Sequence, residues 1–227
     1  VLLSLSLSVE SGEFISVLGK SGCGKSTLLK VIAGLLRPES GEILLDGENI
    51  AALPPEKRGT VIVFQDLRLF PNMNVFENIA FPMKLRKLSR EKIRERAEEL
   101  LTLVELPGLE RRRIRELSGG QQQRVGIARA LVIEPKIIFA DEPTGNLDSH
   151  TTEEVLALMQ RIVRERNNTL IMVTHDPNIA AWSDRQLRVV DGKIVETVIQ
   201  KESPIEKRIY EEKHDWPFVK TEALTSS

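Results

Sequence analysis

The chain has little of several residue types, and each shortage excludes a class of protein. It has one cysteine, Cys23, which excludes an internal disulfide framework and favours a reducing compartment. No apolar run approaches the roughly 18 to 20 residues that cross a bilayer. The 32 basic residues do not outnumber the 33 acidic ones, so the positive excess of nucleic-acid-binding domains is missing. What is present, 227 residues of which 41% are hydrophobic, is typical of a globular protein with a core.

The first ten residues, VLLSLSLSVE, alternate between apolar residues and serines from position 3 to position 9. Apolar residues at odd positions alternate with serines at positions 4, 6 and 8, which is the period of a half-buried strand. The stretch has neither the basic flank nor the small-residue cleavage site of a signal peptide. We therefore expect a strand within a fold, and we expect that upstream sequence, including an N-terminal strand, is missing.

Further along, short apolar runs alternate with helical periodicity. The predicted strands are Phe14–Leu18, Glu42–Leu45, Val61–Phe64, Ile137–Ala140, Thr169–Val173, Leu187–Val190 and Ile194–Val198. The predicted helices outside the central segment are Lys25–Leu35, Thr151–Arg166 and Pro177–Ala181. This alternation favours an α/β fold with a mainly parallel sheet.

Two features modify this α/β pattern. Residues 71–133 follow a helical pattern, clearest over Ser89–Val104, and are predicted to form an inserted α-helical subdomain. The turn Asp46-Gly47 after Glu42–Leu45 predicts a small antiparallel β part near the N-terminus. We predict a single domain over residues 1–200 and a polar C-terminal tail over residues 201–227.

The loop GKSGCGKST after the first strand matches the P-loop pattern G-x-x-x-x-G-K-[ST]. Glycines let backbone N–H groups curl around phosphate oxygens, and the following helix points its positive end at them. Lys25 adds a charge for the β- and γ-phosphates, and the Ser26 hydroxyl is a hard oxygen ligand suited to Mg²⁺. The predicted phosphate-binding residues are Gly19, Lys20, Ser21, Gly22, Cys23, Gly24, Lys25, Ser26 and Thr27.

Two further strands end in residues suited to phosphate chemistry. The apolar run IIFADEP delivers Asp141 at its carboxyl end, where it can join Ser26 in a Mg²⁺ shell. Glu142 is placed to polarise a water for in-line attack on a γ-phosphate. His175 follows the strand in LIMVTHD, which we expect to lie beside the P-loop strand.

The stretch RELSGGQQQR predicts a second anion site. Ser118 is a good N-cap for the apolar-striped helix that follows, and Gly119 and Gly120 leave backbone N–H groups open to a phosphate. The helix dipole favours an anion at the same end. Because the chain already has a P-loop, a second anion site suggests a head-to-tail dimer.

These motifs together give the chain its resemblance to a known family. Over about residues 1–198 it resembles ATP-binding cassette (ABC) ATPases, the P-loop NTPases that power ABC transporters. The motifs stand in the family's order: GKSGCGKST, VFQD, LSGGQQQR, IIFADEP, GNLD and VTHD. The resemblance implies that two such chains sandwich two ATP molecules with Mg²⁺, so that LSGGQ completes the ATP site of the other subunit.

The resemblance also assigns roles to individual residues. Gln65 would contact Mg²⁺ and the attacking water and join the core to the helical subdomain, and Asp148 would lie at the dimer interface. The catalytic residues would be Glu142, His175 and Gln65, the metal ligands Ser26, Gln65 and Asp141, and the additional nucleotide contacts Ser118, Gly119, Gly120, Gln121 and Asp148. The implied location is the cytoplasmic face of the cell membrane.

The resemblance predicts two kinds of partner, a second ABC ATPase subunit, identical or different, and transmembrane permease subunits. We expect Leu69–Phe81, rich in Phe and Met, to receive the permease, although core packing explains the same residues. We expect that the aromatic residue which stacks on adenine in this family is not among the residues upstream of the P-loop here, since the first aromatic residue, Phe14, lies within the strand that feeds the loop.

Two interpretations are possible for the transporter subfamily, and two for the class of function. ADEPTGNLDS resembles ATPases of lipoprotein release and macrolide export, which we favour, whereas EKRGTVIVFQD resembles those of importers. The alternative function is a soluble ABC ATPase acting in translation or DNA repair. Such proteins usually carry a second cassette or a coiled-coil insertion, and these 227 residues show neither. The basic cluster at 111–115 is typical of a solvated or coupling face, so we expect no nucleic-acid partner. A nucleotide-binding regulator without turnover would not need Glu142.

Overall fold

The computed structural model describes residue 2 and residues 5–199, so the predicted tail lies outside the described residues. The strands are β1 (Phe14–Leu18), β2 (Leu44–Leu45), β3 (Glu48–Asn49), β4 (Thr60–Phe64), β5 (Ile137–Asp141), β6 (Thr169–Thr174), β7 (Arg185–Val190) and β8 (Lys193–Ile199). The α-helices are α1 (Lys25–Ile32), α2 (Val75–Leu85), α3 (Arg90–Leu103), α4 (Gly119–Leu131), α5 (Ser149–Arg166) and α6 (Pro177–Ala180). Short 3₁₀ turns cover Pro55–Lys57 and Ile114–Glu116.

Six strands form one sheet in the order β4-β5-β6-β1-β7-β8. All neighbouring pairs are parallel except β7 and β8, and β2 pairs with β3 in a separate antiparallel hairpin. This confirms the predicted α/β fold with a mainly parallel sheet and a small antiparallel part. Across the central strands Phe64 lies opposite Asp141, Asp141 opposite Val173, and Leu18 opposite Thr174. The carboxyl ends of β4, β5, β6 and β1 are therefore level with one another.

The sheet separates two hydrophobic clusters, and consecutive residues of β1 contribute to different ones. Phe14 packs into the cluster that contains the apolar faces of α2 to α5, whereas Ile15 and Val17 pack into the cluster that contains Leu29 of α1. The inserted helices share the first cluster with the sheet, because Ile79 of α2 belongs to it together with strand residues. Burial on both faces explains why β1, β5 and β6 are mostly apolar runs.

A buried arginine closes the far end of α1. Arg58 is 2% exposed and donates hydrogen bonds to four backbone carbonyls. The acceptors are the carbonyls of Val31, Ile32, Ala51 and Leu53. Gly34, at φ 85°, turns the chain out of α1, which therefore ends at Ile32 and not at the predicted Leu35.

The predicted N-terminal strand is wrong for residues 5–9, while residues 1, 3 and 4 lie outside the described part of the chain. Exposure does alternate, with Leu7 and Val9 packed against the second cluster and Ser6 and Ser8 exposed. The Ser8 carbonyl accepts a hydrogen bond from Arg185 where a strand would have a ladder partner. Among the described residues, no helix is both long enough and apolar enough to cross a membrane.

Candidate functional site

Four neighbouring strands bring the predicted catalytic residues to one edge of the sheet. Gly19, Gln65, Glu142 and His175 each stand one residue beyond a strand end, after β1, β4, β5 and β6 respectively, and Asp141 is the last residue of β5. Because these ends are level, residues separated by up to 156 positions in the chain meet at one edge.

The loop between β1 and α1 curls around the amine of Lys25. This side chain is buried, and its Nζ donates to the carbonyls of Gly19 (2.7 Å) and Lys20 (2.9 Å). Gly22 and Gly24 have φ angles of 84° and 104°, a region open to glycine without steric cost. The loop therefore holds its curled shape through glycine geometry and a charged crosslink.

Close packing below the loop explains why small residues, Gly19 and Cys23, occupy two of its positions. A Cβ on Gly19 would lie 2.5 Å from the Val189 carbonyl oxygen and 2.7 Å from the sulfur of Cys23, so only glycine fits there. Cys23 is half-buried and packs against the second hydrophobic cluster. Its thiol thus fills space beneath the loop.

The side chains of Ser26 and Asp141, the two predicted metal ligands that follow the P-loop glycines and end β5, lie in contact. The Ser26 hydroxyl donates to a carboxylate oxygen of Asp141 at 2.9 Å, which joins the start of α1 to the end of β5. A hydroxyl and a carboxylate suit Mg²⁺, which commonly takes its other ligands from phosphate and water. The described residues contain no group of three His, Cys, Asp or Glu side chains that would hold a metal alone. The pair fits a cation that arrives with a phosphate ligand.

Glu142 and His175 form a second pair at the same edge. The imidazole Nδ1 of His175 lies 3.0 Å from a carboxylate oxygen of Glu142. Glu142 has a φ of 49°, uncommon for a residue with a Cβ, and its backbone N–H donates to the Val173 carbonyl at 2.9 Å. This left-handed turn ends β5 and directs the chain out of the sheet. The carboxylate is 24% exposed, so water reaches it.

Gln65 contacts Gly145 and Asn146, two residues of the GNLD segment for which no role is predicted. Its side-chain amide nitrogen lies 3.5 Å from Oδ1 of Asn146, and a Cβ on Gly145 would lie 2.8 Å from the same nitrogen. Both partners precede Asp148 in the GNLD segment. No local signal in the sequence connects this segment to position 65.

The predicted cap at the start of α4 is confirmed, and it forms a capping box. The Gln121 N–H donates to the Ser118 hydroxyl at 3.3 Å, and the Ser118 N–H donates to the Gln121 side-chain oxygen at 3.0 Å. Gly119 is exposed, but Gly120 is buried, and a Cβ there would lie 2.3 Å from the methyl carbon of Thr151. Gly120 is therefore required for the approach of α4 to α5.

Asp148 caps α5 beside this contact. Its carboxylate accepts the Thr151 N–H at 3.0 Å and the Thr151 hydroxyl at 2.7 Å. The backbone hydrogen bond of Thr151, followed by that of its hydroxyl, lowers the pKa of Asp148. Within the described part of the chain no hydrogen bond joins residues 118–121 to the loop at 19–27. The two predicted anion sites thus lie on separate structural elements.

An open groove of about 200 Å³ lies between β4 and the inserted helices. Phe70 and Phe81 line it with their ring centroids 4.6 Å apart, and Phe70 is 36% exposed. Arg129 lies at the groove and donates to the Leu67 carbonyl at 2.6 Å. Within the predicted docking segment, Ile79 and its buried neighbours pack into the hydrophobic core, whereas Phe70 and Phe81 line the groove.

Comparison with known proteins identifies relatives of most of the chain. The profile of the ABC transporter family matches residues 2–145. The spermidine/putrescine import ATP-binding protein PotA of Thermotoga maritima is 48% identical over 197 residues, which are 86% of this chain and 54% of that protein. The Fe(3+) ions import ATP-binding protein FbpC 1 of Rhizobium meliloti is 45% identical over 193 residues, 85% of this chain and 55% of that protein. The chain spans about half the length of the curated relatives it matches.

Solved structures share the fold. The dimeric structure of MJ0796, a bacterial ABC transporter cassette, is 37% identical with a TM-score of 0.77, and the match covers 88% of this chain and 91% of that one. The structure of cbiO1 from Clostridium perfringens, part of the ABC transporter complex cbiONQ, is 32% identical with a TM-score of 0.83. That match covers 95% of this chain and 88% of the other.

Proposed function

This chain belongs to the ABC transporter family, and we propose that it is the ATP-hydrolysing subunit of a transporter that moves a substrate across a membrane. The observation that carries the proposal is the single sheet edge on which a charged P-loop, a Ser–Asp oxygen pair and a Glu–His pair meet. We propose that residues 19–27 bind the phosphates of ATP, with the amine of Lys25 turning from the loop carbonyls to the β- and γ-phosphates.

For hydrolysis, we propose that Glu142 accepts a proton from the water that attacks the γ-phosphate. His175 holds the carboxylate through its Nδ1 contact and keeps it at the sheet edge. Gln65, which follows β4 beside Glu142, would orient the same water. Ser26 and Asp141 would hold Mg²⁺, which when bound neutralises charge on the phosphates.

The active unit in this proposal is a head-to-tail dimer with two ATP molecules at its interface. The support is the separation of the two anion sites, because Ser118 and Gly119 stand at an exposed helix start that makes no hydrogen bond to the P-loop. In a paired subunit this helix start, with Asp148 nearby, would face the ATP held by the other chain. The relative MJ0796 has been solved as a dimer.

We propose that permease subunits bind in the groove lined by Phe70 and Phe81 on the cytoplasmic face of a membrane. The groove is open, apolar and built from the segment that follows Gln65, so a helix seated there would be linked to the nucleotide site. The curated relatives are named as import proteins, which favours the importer alternative over the export group. Their names give different cargo, polyamine and ferric iron, so we propose no particular substrate for this chain.

Two substitutions separate binding from chemistry. Glu142→Gln should lower the ATP hydrolysis rate by about 10²- to 10⁴-fold while ATP affinity stays unchanged, a barrier increase of roughly 3 to 5 kcal/mol. Lys25→Ala should instead weaken ATP binding itself, measured by calorimetry. Glu95→Gln, on the exposed surface of α3, is the matched control and should change neither. Unchanged turnover in Glu142→Gln would exclude that residue as the base, and normal ATP affinity in Lys25→Ala would exclude the P-loop assignment.

A further inference from the structure

A ladder of four charged side chains runs from α5, which packs on the sheet, to the inserted helices α3 and α4. It consists of Glu154 and Arg161 on α5, Arg124 on α4, and Glu105, which follows α3. Their signs alternate along the contacts, from Glu154 to Arg124 at 3.0 Å, from Arg124 to Glu105 at 2.6 Å, and from Glu105 to Arg161 at 2.9 Å. The ladder therefore joins α3, α4 and α5.

Arg124 is the centre of the ladder because its two terminal nitrogens contact different helices. Nη1 binds Glu105 at the inserted helices, and Nη2 binds Glu154 on the core helix. Its side chain is 13% exposed, whereas the two carboxylate side chains are about half exposed, at 51% and 46%. The planar guanidinium supplies two donors in a fixed fork, which a lysine lacks.

Backbone contacts fix Glu105 between the two arginines. Glu105 has a φ of 59° and turns the chain out of α3, and Arg161 donates to the carbonyl of Leu103 at 2.8 Å. Burial raises the pKa of Glu105, but hydrogen bonds and charge from Arg124 and Arg161 outweigh it and lower the pKa below its ordinary value. The carboxylate is therefore held in its charged form.

The ladder lies close to the start of α4. Gly119 and Arg124 are five residues apart, about 7.5 Å along a helix axis, so a tilt of about 10° at Arg124 would move the helix start by roughly 1.3 Å. Misplacements of about 1 Å at a reacting group can cost about 100-fold in rate. Gly120 against Thr151 anchors the first turn, and Arg124 anchors the second.

We propose that Arg124 is a positioning residue which, through Glu105 and Glu154, sets where the start of α4 meets the ATP bound by the partner chain. The inference rests on the proposed function, since it requires the head-to-tail dimer. In this role Arg124 contacts Glu105 and Glu154 and is not itself a catalytic residue. It acts on the site of the other subunit and leaves the P-loop of its own chain intact.

The first test compares Arg124→Met with Arg94→Met in the full chain. Methionine keeps an apolar stem and removes the fork, while Arg94 forms an exposed pair with Glu98 within α3. Arg124→Met should weaken ATP-driven pairing in the Glu142→Gln background at least tenfold and leave ATP binding by the monomer within twofold. Arg94→Met should change neither. Wild-type pairing by Arg124→Met would overturn the inference, as would loss of monomer binding in a folded variant.

Glu154→Gln provides a second route if Arg124→Met does not fold. It removes the negative charge from one partner of the fork at a half-exposed position and leaves Glu105 in place. We expect Glu154→Gln to weaken ATP-driven pairing less than Arg124→Met does, and to leave ATP binding by the monomer unchanged. Unchanged pairing by Glu154→Gln would contradict the role given to the ladder.

The decisive test mixes two inactive variants. Lys25→Ala has a damaged P-loop and an intact start of α4. Arg124→Met has an intact P-loop and a displaced start of α4. In a mixed dimer the P-loop of Arg124→Met meets the intact helix start of Lys25→Ala, so one complete site forms and ATP hydrolysis should recover above both variants alone. If Arg124→Met instead damages its own P-loop, the mixture stays inactive.

A control mixture separates failure of this inference from failure of the proposed function. Lys25→Ala mixed with Ser118→Arg should also recover hydrolysis, because Ser118 stands at the helix start itself. If this control recovers and the Arg124→Met mixture does not, the inference is wrong and the dimer stands. If neither mixture recovers, the sandwich dimer itself is contradicted, and the inference falls with it.

Discussion

The contact between α4 and α5 predicts that Gly120 cannot be replaced even by alanine. A Cβ at this position would lie 2.3 Å from the methyl carbon of Thr151, whereas two carbon atoms are in optimal contact at about 3.5 to 4.0 Å. The methyl cannot simply rotate away, because the hydroxyl on the same carbon donates to Asp148. Either the helices separate or the cap of α5 is lost.

The expected loss follows from two opposing contributions. Overpacking costs about 1 to 3 kcal/mol, and a carbon–carbon contact this short falls at the upper end, about 3 kcal/mol. Alanine is better than glycine in a helix by up to about 1 kcal/mol, which offsets part of that cost. The free energy of unfolding of Gly120→Ala should therefore fall by about 2 kcal/mol.

Equilibrium urea unfolding measures the free energy of unfolding of Gly120→Ala, with two further variants as internal controls. Gly119→Ala should stay within about 0.5 kcal/mol of the wild type, because its Cβ meets only the flexible end of Leu147, at 3.3 Å. Thr151→Ser removes the methyl and keeps the hydroxyl bonded to Asp148, so it should restore much of the stability of Gly120→Ala. If Gly120→Ala is as stable as the wild type, or if Thr151→Ser restores nothing, the steric reasoning is wrong.

Three further predictions concern stability, catalysis and pH. Arg58→Met should lower the free energy of unfolding by about 3 kcal/mol, because four carbonyls around the end of α1 lose their donor; Arg37→Met, on the nearby surface, is the control in the same urea titration. His175→Ala should slow ATP hydrolysis at least about tenfold with unchanged ATP affinity. Wild-type turnover would contradict the role given to His175, which is to hold the Glu142 carboxylate in place. The Asp148 cap stabilises the protein fully above the ordinary carboxyl pKa and loses its effect as pH falls through the lowered pKa of the folded state. Below about pH 4, Asp148→Asn should therefore lose less stability than the wild type in acid titrations followed by circular dichroism.

Much of the parallel sheet could be predicted from the sequence because its central strands are buried on both faces. β1, β5 and β6 are short apolar runs that end at chemically distinctive residues, so the level strand ends and the meeting of Asp141, Glu142 and His175 follow from parallel topology. The cap at Ser118 was predictable for a similar reason, since capping depends on residues three apart in the chain.

The errors and omissions come from contacts between distant residues. Residues 5–9 show the alternation of a strand, but exposure alternates there without strand pairing. The turn at Glu142, the burial of Gly120 against Thr151 and the carbonyl ligands of Arg58 depend on packing across the fold. Arg124 in RELSGGQQQR reads as an ordinary surface charge until its two carboxylate partners are known.

The most direct test of the account is the mass of the Glu142→Gln chain in solution, measured by light scattering with and without ATP. The substitution should retain ATP binding and slow its hydrolysis, so any ATP-dependent pair should persist long enough to be measured. The account predicts a monomer without ATP and a doubled mass with it, while Glu142→Gln/Ser118→Arg stays monomeric in both. A Glu142→Gln chain that binds ATP and remains monomeric, or one that pairs equally well with Ser118→Arg, would contradict a site completed by the start of α4.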